Sequence, residues 1–291
     1  MKSAIKANLN LCSANIIENR EIAEDHFIMS LLLSVPCEPA LPGQFIMMRK
    51  QGVKDPLLSR PLSIYGFYQT EAGCVFDFLY RVVGKGTRAL SRLNCGDTVD
   101  ILGPLGRPFV LAPEKKHILL VAGGIGVAPL SYFAEYLTKE FGQIESSAMP
   151  TEYREITFYL GATTSSSLVG LPKIERFCHH IKLATDDGSI GFHGTVTELL
   201  RCDLDKYDPG EFIIFSCGPK PMIKSLAKIM NPIPAPCQVS VEERMACGIG
   251  ACLGCSVKVR TPDSDRWTYS QVCTDGPVFD IRDIMWDDQE N

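Results

Sequence analysis

The sequence predicts an α/β plus β chain in three units: a six-stranded antiparallel barrel, an α/β domain built on a parallel sheet, and a small cysteine-rich C-terminal domain. Three observations carry this reading. Short β-like runs between turn signals fill roughly the first 110 residues. After Pro113, apolar strands alternate with helical patterns. Four of the 12 cysteines fall within the last 45 residues, behind a proline-rich break. The expected boundaries are 1–112, 113–232 and 233–291.

In the first unit, strand character is read at 4–13, 26–34, 43–50, 60–67, 74–83 and 97–103, with one helical stretch at 87–93. Six short strands at this spacing suggest a small closed barrel. In the second unit, HILLVA (117–122) is a continuous apolar run, as in a strand buried on both faces. Strands are expected again at 155–162, 181–187 and 211–218, and helices at 128–140 and near 172–178, 195–201 and 219–230. Alternation of this kind argues for a parallel sheet covered by helices. Residues 142–154 read as an exposed loop, NPIPAPC (231–237) as a break, and DDQEN (287–291) as a frayed acidic end. Ile284, Met285 and Trp286 are candidates either for an interface or for core packing.

Composition narrows the function classes. Hydrophobic residues make up 45% and charged residues 22%, which suits a globular chain with a sizeable core. A net charge of −5 argues against nucleic-acid binding by bulk electrostatics. No apolar run approaches the ~18 residues of a membrane span, and the first ten residues lack an apolar signal core, so a cytoplasmic protein is expected. In a reducing compartment the eight scattered cysteines read as small buried apolar residues.

The clustered four are different. Cys247-x4-Cys252-x2-Cys255, followed by Cys273, matches the run of thiolates that holds a [2Fe–2S] cluster. Gly248, Gly250 and Gly254 let the backbone wrap closely and aim N–H groups at sulfur. Structural zinc is the rival, but it usually presents two C-x2-C knuckles, and only one is here. Gly123-Gly124-Ile125-Gly126-Val127-Ala128-Pro129 sits between a buried strand and a helix, where N–H groups and the helix dipole can hold a pyrophosphate, as in a Rossmann-like domain. The next strand ends without a carboxylate for a ribose hydroxyl and without an arginine for a 2′-phosphate; the lack of basic residues favours NAD over NADP. In the barrel, Arg60-Pro61-Leu62-Ser63, Leu79-Tyr80-Arg81 and Gly86-Thr87 together form a candidate phosphate and flavin site.

The order of these features resembles the ferredoxin–NADP reductase superfamily. RPLS looks like its flavin motif, GGIGVAP its dinucleotide turn and CGPKPM (217–222) its nicotinamide-side motif. VEERMACGIGACLGC (241–255) with VCTDGPVF (272–279) is similar to the electron-transfer subunits of type 1B dihydroorotate dehydrogenase, the PyrK family. The wider superfamily has tyrosine where this chain has Leu62, and leucine fits this subgroup.

The resemblance implies FAD on Arg60, Pro61, Leu62, Ser63, Leu79, Tyr80, Arg81, Gly86 and Thr87, and a [2Fe–2S] cluster on Cys247, Cys252, Cys255 and Cys273. NAD would lie along Gly123, Gly124, Gly126, Cys217, Gly218 and Pro219. It also implies a separate FMN-containing dihydroorotate dehydrogenase catalytic subunit as partner, in a two-plus-two assembly serving pyrimidine synthesis. No side chain is expected to act as acid or base on a carbon substrate, since the cofactors carry the chemistry. The alternatives are an electron-transfer subunit of another complex, such as a sulfhydrogenase or a ferredoxin-dependent transhydrogenase, and a zinc-stabilised, non-enzymatic nucleotide-binding module.

Overall fold

A computed structural model describes residues 11–52, 55–111, 114–142, 155–261 and 266–286. Strands β1 (Leu11–Ala23), β2 (His26–Leu33), β3 (Phe45–Lys50), β4 (Arg60–Thr70), β5 (Gly73–Arg81) and β6 (Thr98–Leu105) close a barrel in the order β1-β2-β5-β4-β3-β6. All pairs are antiparallel, and β6 returns to β1. Alternation fixes the register: along β6, Val99, Ile101 and Leu105 are buried, while Thr98, Asp100 and Leu102 between them are only partly so. Ile16, Met29, Leu31, Ile46, Ile64, Phe76 and Phe78 fill the barrel. Each such side chain contributes about 1.5–3 kcal/mol on burial. Helix α1 (Lys85–Ser91) lies between β5 and β6.

The first strand is the main correction within this unit. Sequence reading placed it at 4–13; it runs from Leu11 to Ala23, and residues 4–10 lie outside the described residues. Ala14 and Ile16 in its first half are buried, but in its second half, NREIA, none is: Arg20 and Glu21 are exposed, and Ile22 and Ala23 are half-buried against the core shared with the sheet domain. Alternation against a single buried face therefore fades midway, and with it the sequence signal. A second correction concerns the scattered thiols. Cys37 and Cys74 form a disulfide, Cα to Cα 6.5 Å, because the connection after β2 folds back over the start of β5.

The second unit contains β7 (His117–Gly123), α2 (Val127–Gly142), β8 (Glu155–Ala162), α3 (Leu171–Phe177), β9 (His180–Thr185), β10 (Phe192–His193), α4 (Val196–Asp203), β11 (Phe212–Cys217) and α5 (Lys220–Met230). The expected loop at 142–154 lies outside the described residues apart from Gly142, the last residue of α2. Residues Ile118–Gly123 of β7 are all buried, which accounts for the continuous apolar run. Helices α2 and α3 cover the face toward the barrel, sharing one core with Tyr65 and Leu79 of the barrel strands, and α4 and α5 cover the other.

The sheet does not end at residue 232. Strand β12 (Cys237–Ser240) pairs parallel with β11, and β15 (Val278–Asp280) pairs antiparallel with β12, giving the order β10-β9-β8-β7-β11-β12-β15. Residues 241–277 leave the sheet from β12 and return to it at β15. They carry the cysteine loop and a hairpin of β13 (Ser256–Arg260) and β14 (Trp267–Gln271). Ile284 is buried in the α4–α5 core and Trp286 packs against it, so this end of the chain is core packing. The acidic stretch 287–291 lies outside the described residues.

Candidate functional site: a flavin cavity between a dinucleotide turn and a thiolate loop

Strands β4 and β5 begin and end on the rim of a cavity of about 250 Å³. Pro61, Leu62, Ser63, Leu79, Tyr80, Arg81 and Thr87 line it, and Ile125, Ala128, Pro129 and Cys217 close it from the sheet side. Two of these residues also belong to the barrel core. Leu62 is buried there, and the Tyr80 hydroxyl donates to Asn19 Oδ1 at 3.1 Å while its ring stacks on Phe27. Thr87 holds the first turn of α1: its Oγ1 accepts from the Val83 and Gly84 N–H groups at 3.0 and 3.3 Å.

Arg60 and Gly86 lie beside this cavity, in a crevice with Met48 and Leu58. A Cβ at Gly86 would fall 1.9 Å from Arg60 Nε, so glycine is what lets the guanidinium lie across the start of α1. Arg60 Nη1 donates to the Leu58 carbonyl at 2.8 Å, leaving other N–H groups of the fork for an anion. An apolar cleft ended by a guanidinium and a helix start fits a flavin nucleotide.

The dinucleotide turn is a strand end, a 3-10 turn at Gly124–Gly126 and the first residues of α2. It interlocks with the turn after β11. A Cβ at Gly126 would sit 2.0 Å from the Cys217 carbonyl oxygen, and one at Gly218 would sit 3.0 Å from the Gly123 nitrogen. Met222 fills the space beneath both, with Sδ 2.5 Å from a Cβ at Gly123. Gly124 has φ +52° and is open on its outer side, and Pro219 leads into α5. The two turns thus form one continuous edge at the carboxyl ends of β7 and β11, the usual crevice for a nucleotide in such sheets.

Sequence reading found no carboxylate at the end of β8. The structure brings one from the next strand's loop. Ser189 Oγ donates to Asp187 Oδ1 at 2.6 Å and accepts the Ser165 N–H at 2.8 Å, so the loops after β8 and β9 form one rim. Ser240, the last residue of β12, and Val241, Glu242, Glu243 and Met245 beyond it also line the flavin cavity, and none of them is among the expected site residues. Their signal was hidden because β12 reads as the far side of a proline break. Burial pushes the Glu242 carboxyl up, and burial with Glu242 nearby does the same to the Cys217 thiol.

The four late thiols converge in pairs. Cys252 pairs with Cys247 and Cys255 with Cys273, and Cys247 is close enough to Cys273 to influence it. The Ile249 and Cys252 N–H groups donate to Cys247 Sγ at 3.5 and 3.4 Å, and the Gly250 N–H to Cys273 Sγ at 3.2 Å. Burial works against the Cys247 thiolate, but these donors outweigh it and bring Cys247 down to about 7. Burial and the Cys255 neighbour push Cys273 up to about 12. Among the described residues, no three His, Cys, Asp or Glu side chains are drawn together tightly enough for a single metal ion. Two thiol pairs with N–H groups aimed at sulfur fit a dinuclear iron–sulfur cluster ligated two and two better than one tetrahedral zinc.

Cavity and thiol loop are joined by β3. Phe45 lines the flavin cavity and belongs to a small core with Met47, Leu105, Cys255 and Cys273. Its strand pairs with the flavin motif itself, Phe45 opposite Ser63 and Met47 opposite Pro61. Gly248, at φ +74°, brings the loop backbone onto Met47, where a Cβ would meet Cγ at 2.5 Å.

The comparisons agree with this geometry. A family model for an oxidoreductase FAD-binding domain matches residues 13–109, and one for the iron-sulfur cluster binding domain of dihydroorotate dehydrogenase B matches residues 242–285. The chain is 38% identical over 248 residues to a protein of Desulforamulus reducens named dihydroorotate dehydrogenase B (NAD(+)), electron transfer subunit, covering 85% of this chain and 88% of that one. It is 37% identical over 272 residues to a protein of the same name from Geobacillus kaustophilus, covering 93% and 96%. A solved structure of an NADH-dependent reduced ferredoxin–NADP oxidoreductase superposes with a TM-score of 0.76 at 29% identity, covering 94% of this chain and 90% of that one. The ferredoxin reductase of carbazole 1,9a-dioxygenase shares the fold, with a TM-score of 0.64 at 19% identity over 78% and 67%. On the paired thiols, the flavin cavity and these identities, the chain belongs to the family of dihydroorotate dehydrogenase B electron transfer subunits.

Proposed function

We propose that this chain carries electrons between NAD(H) and an FMN-containing dihydroorotate dehydrogenase catalytic subunit, through FAD and a [2Fe–2S] cluster, in a cytoplasmic two-plus-two assembly that produces orotate. The chemistry supplied by the bound groups is two-electron exchange with NAD(H) at the flavin and one-electron relay at the cluster. The chain's own part is placement. Arg60 and the start of α1 take the flavin phosphates, while Ser63, Leu79 and Arg81 line the space for the ring system. Gly123, Gly124, Gly126 and the Cys217–Pro219 turn form the dinucleotide edge, which reaches that cavity at Ile125 and Cys217. Cys247, Cys252, Cys255 and Cys273 hold the cluster beside β3, against the core that Phe45 and Met47 share with Cys255 and Cys273.

Phe45, which lines the flavin cavity and shares a small buried core with Cys255 and Cys273, is the observation that carries this reading, because it sets the two redox sites against the same strand. Ile249 and Leu253 are exposed apolar residues on the thiol loop, and an apolar tip beside the cluster suits a partner that receives single electrons there. Anaerobic mixing of the holo chain with a dihydroorotate dehydrogenase catalytic subunit tests it. Orotate formation coupled to NAD+ reduction is expected, and no gain over the catalytic subunit alone rejects the assignment. A second reading, a subunit of a ferredoxin-linked transhydrogenase, is favoured by the 29% identity to the NADH-dependent reduced ferredoxin–NADP oxidoreductase. Reduced ferredoxin in place of dihydroorotate distinguishes the two.

A further inference from the structure

Lys173 of α3 is largely buried between the barrel and the sheet domain. Its Nζ donates to Glu135 Oε2 at 2.7 Å and to the Tyr65 carbonyl at 2.5 Å, and it lies 4.3 Å from the centre of the Tyr65 ring. Asp77 is the third charged group at this point. Its Oδ1 accepts from Ser30 Oγ at 2.6 Å, and Gly66 leaves room for both sides: a Cβ there would find Asp77 Oδ2 at 3.0 Å and Lys173 Nζ at 3.3 Å. Lys139 faces the same group from α2, through Glu135. One lysine thus joins α2 to β4 beside Asp77 of β5, and each of these three elements carries a cofactor motif. Tyr65 follows Ser63 by two residues on β4, and Asp77 precedes Leu79 by two on β5. At the rise of a strand, that is about 7 Å from each flavin motif. Glu135 lies on α2, the helix that starts at the dinucleotide turn. The residue opening α3 completes the wedge: Gly170, at φ +80°, touches both, a Cβ there meeting Val127 Cγ2 of the turn at 3.1 Å and Leu79 Cδ2 of the flavin strand at 3.7 Å.

We propose that Lys173 is a positioning residue for hydride transfer, fixing the dinucleotide turn against the flavin strands so that the nicotinamide and the flavin ring meet at reacting distance. The proposal rests on the NADH and FAD roles given above. In the step it serves, the C4–H bond of NADH breaks with both electrons, an N5–H bond forms on the flavin, NADH becomes NAD+ and the flavin is reduced, with no further reactant. Such a step needs the two atoms about 3–3.5 Å apart, and a displacement of about 1 Å costs up to about 100-fold. Burial alone disfavours the Lys173 ammonium and the Asp77 carboxylate, so the group is held by its mutual contacts rather than by solvent.

The test is anaerobic stopped-flow reduction of the bound FAD by NADH, with NADH deuterated at C4 as a second substrate, in the holo chain and its Lys173→Met, Lys173→Arg and Glu135→Gln variants. Lys173→Met is expected to keep FAD, to lower the limiting rate about 10–100-fold, to change half-saturation by NADH little, and to alter the isotope effect. Lys173→Arg should recover part of the rate, and Glu135→Gln, which leaves the Tyr65 contact, should lose less. A wild-type limiting rate in Lys173→Met overturns the proposal. So does a loss confined to half-saturation, or FAD loss in which the remaining holo fraction reacts normally. If Lys173→Met does not fold, the other two variants decide: unchanged rates and isotope effects in both overturn it. Failure to serve a dihydroorotate-oxidising partner would sink the functional reading alone, because this comparison is read on NADH and FAD within the chain.

Discussion

The Arg60 guanidinium rests directly on the backbone of Gly86, at a distance no side chain at position 86 would permit. Replacing Gly86 by alanine therefore forces the arginine out of the crevice rather than merely crowding it. The helix itself should tolerate alanine, which is a better helix former than glycine. The expected outcome is a folded chain with FAD affinity reduced at least tenfold, measured by flavin fluorescence on titration of the apoprotein. Unchanged affinity would remove Arg60 from the phosphate site.

Gly126→Ala acts on the other cofactor. Its methyl would collide with the Cys217 carbonyl, so the two turns must part. FAD content should stay near wild type, while the dissociation constant for NAD+ rises at least tenfold and stability falls by about 1–3 kcal/mol, as for overpacking of a closed interior. Isothermal titration with NAD+ and a urea melt measure the two effects separately.

Cys273→Ser and Cys252→Ser should each abolish the paramagnetic signal of the reduced [2Fe–2S] cluster while leaving FAD bound. Iron and sulfide analysis beside flavin absorbance checks this. An unmutated chain that carries zinc and shows no cluster absorbance beside its flavin would instead support the single-ion alternative.

Thiol reactivity should follow burial. Cys217 and Cys237 are buried, and burial pushes both thiols up, so they stay protonated at pH 8. Iodoacetamide is expected to label the exposed Cys95 and Cys202 in the native holo chain, with Cys217 and Cys237 reacting only on unfolding. Peptide mass spectrometry over a time course reads this directly.

Asp203 gives a pH dependence of stability. Its carboxylate is bonded to Lys182 and Lys206 and accepts from the Tyr159 hydroxyl at 3.1 Å. Burial opposes the charge, but the two ammonium groups outweigh it and hold Asp203 below the usual carboxylate range. A folded-state value below the unfolded one means that the contribution is complete above about pH 4, near the unfolded carboxylate, and fades as pH falls further. Asp203→Asn should cost about 1.5–3 kcal/mol at pH 7 and should flatten the acid limb of a stability–pH curve measured by denaturant melts.

The parts of the site legible in the sequence were those where one local pattern carries the chemistry. The Cys247–Cys255 spacing, the Gly123–Pro129 turn and the RPLS stretch each sit within one loop or strand end; the last two meet at one cavity, and Cys255 lies in the small core beside it. What stayed hidden depends on distant pairing. Ser240–Glu243 reach the cavity only because β12 adds to β11 across the proline break. Asp187 reaches Ser165 through Ser189 from a different strand. The late half of β1 lost its signature for a different reason, since its residues are exposed or only half-buried, and Ile22 and Ala23 pack outside the barrel interior. Nothing in the sequence singles out Lys173, because only the meeting of barrel and sheet buries it.

The sheet's last two strands have a consequence for how this protein can be taken apart. Because β12 departs and β15 comes home on the same edge, the iron-binding stretch is a loop spliced into the nucleotide domain, with both roots anchored side by side. Cutting the chain at the proline break would not free a portable relay. It would strip two strands from the parent layer, and the relay could be transplanted only together with a host sheet that offers it such an edge.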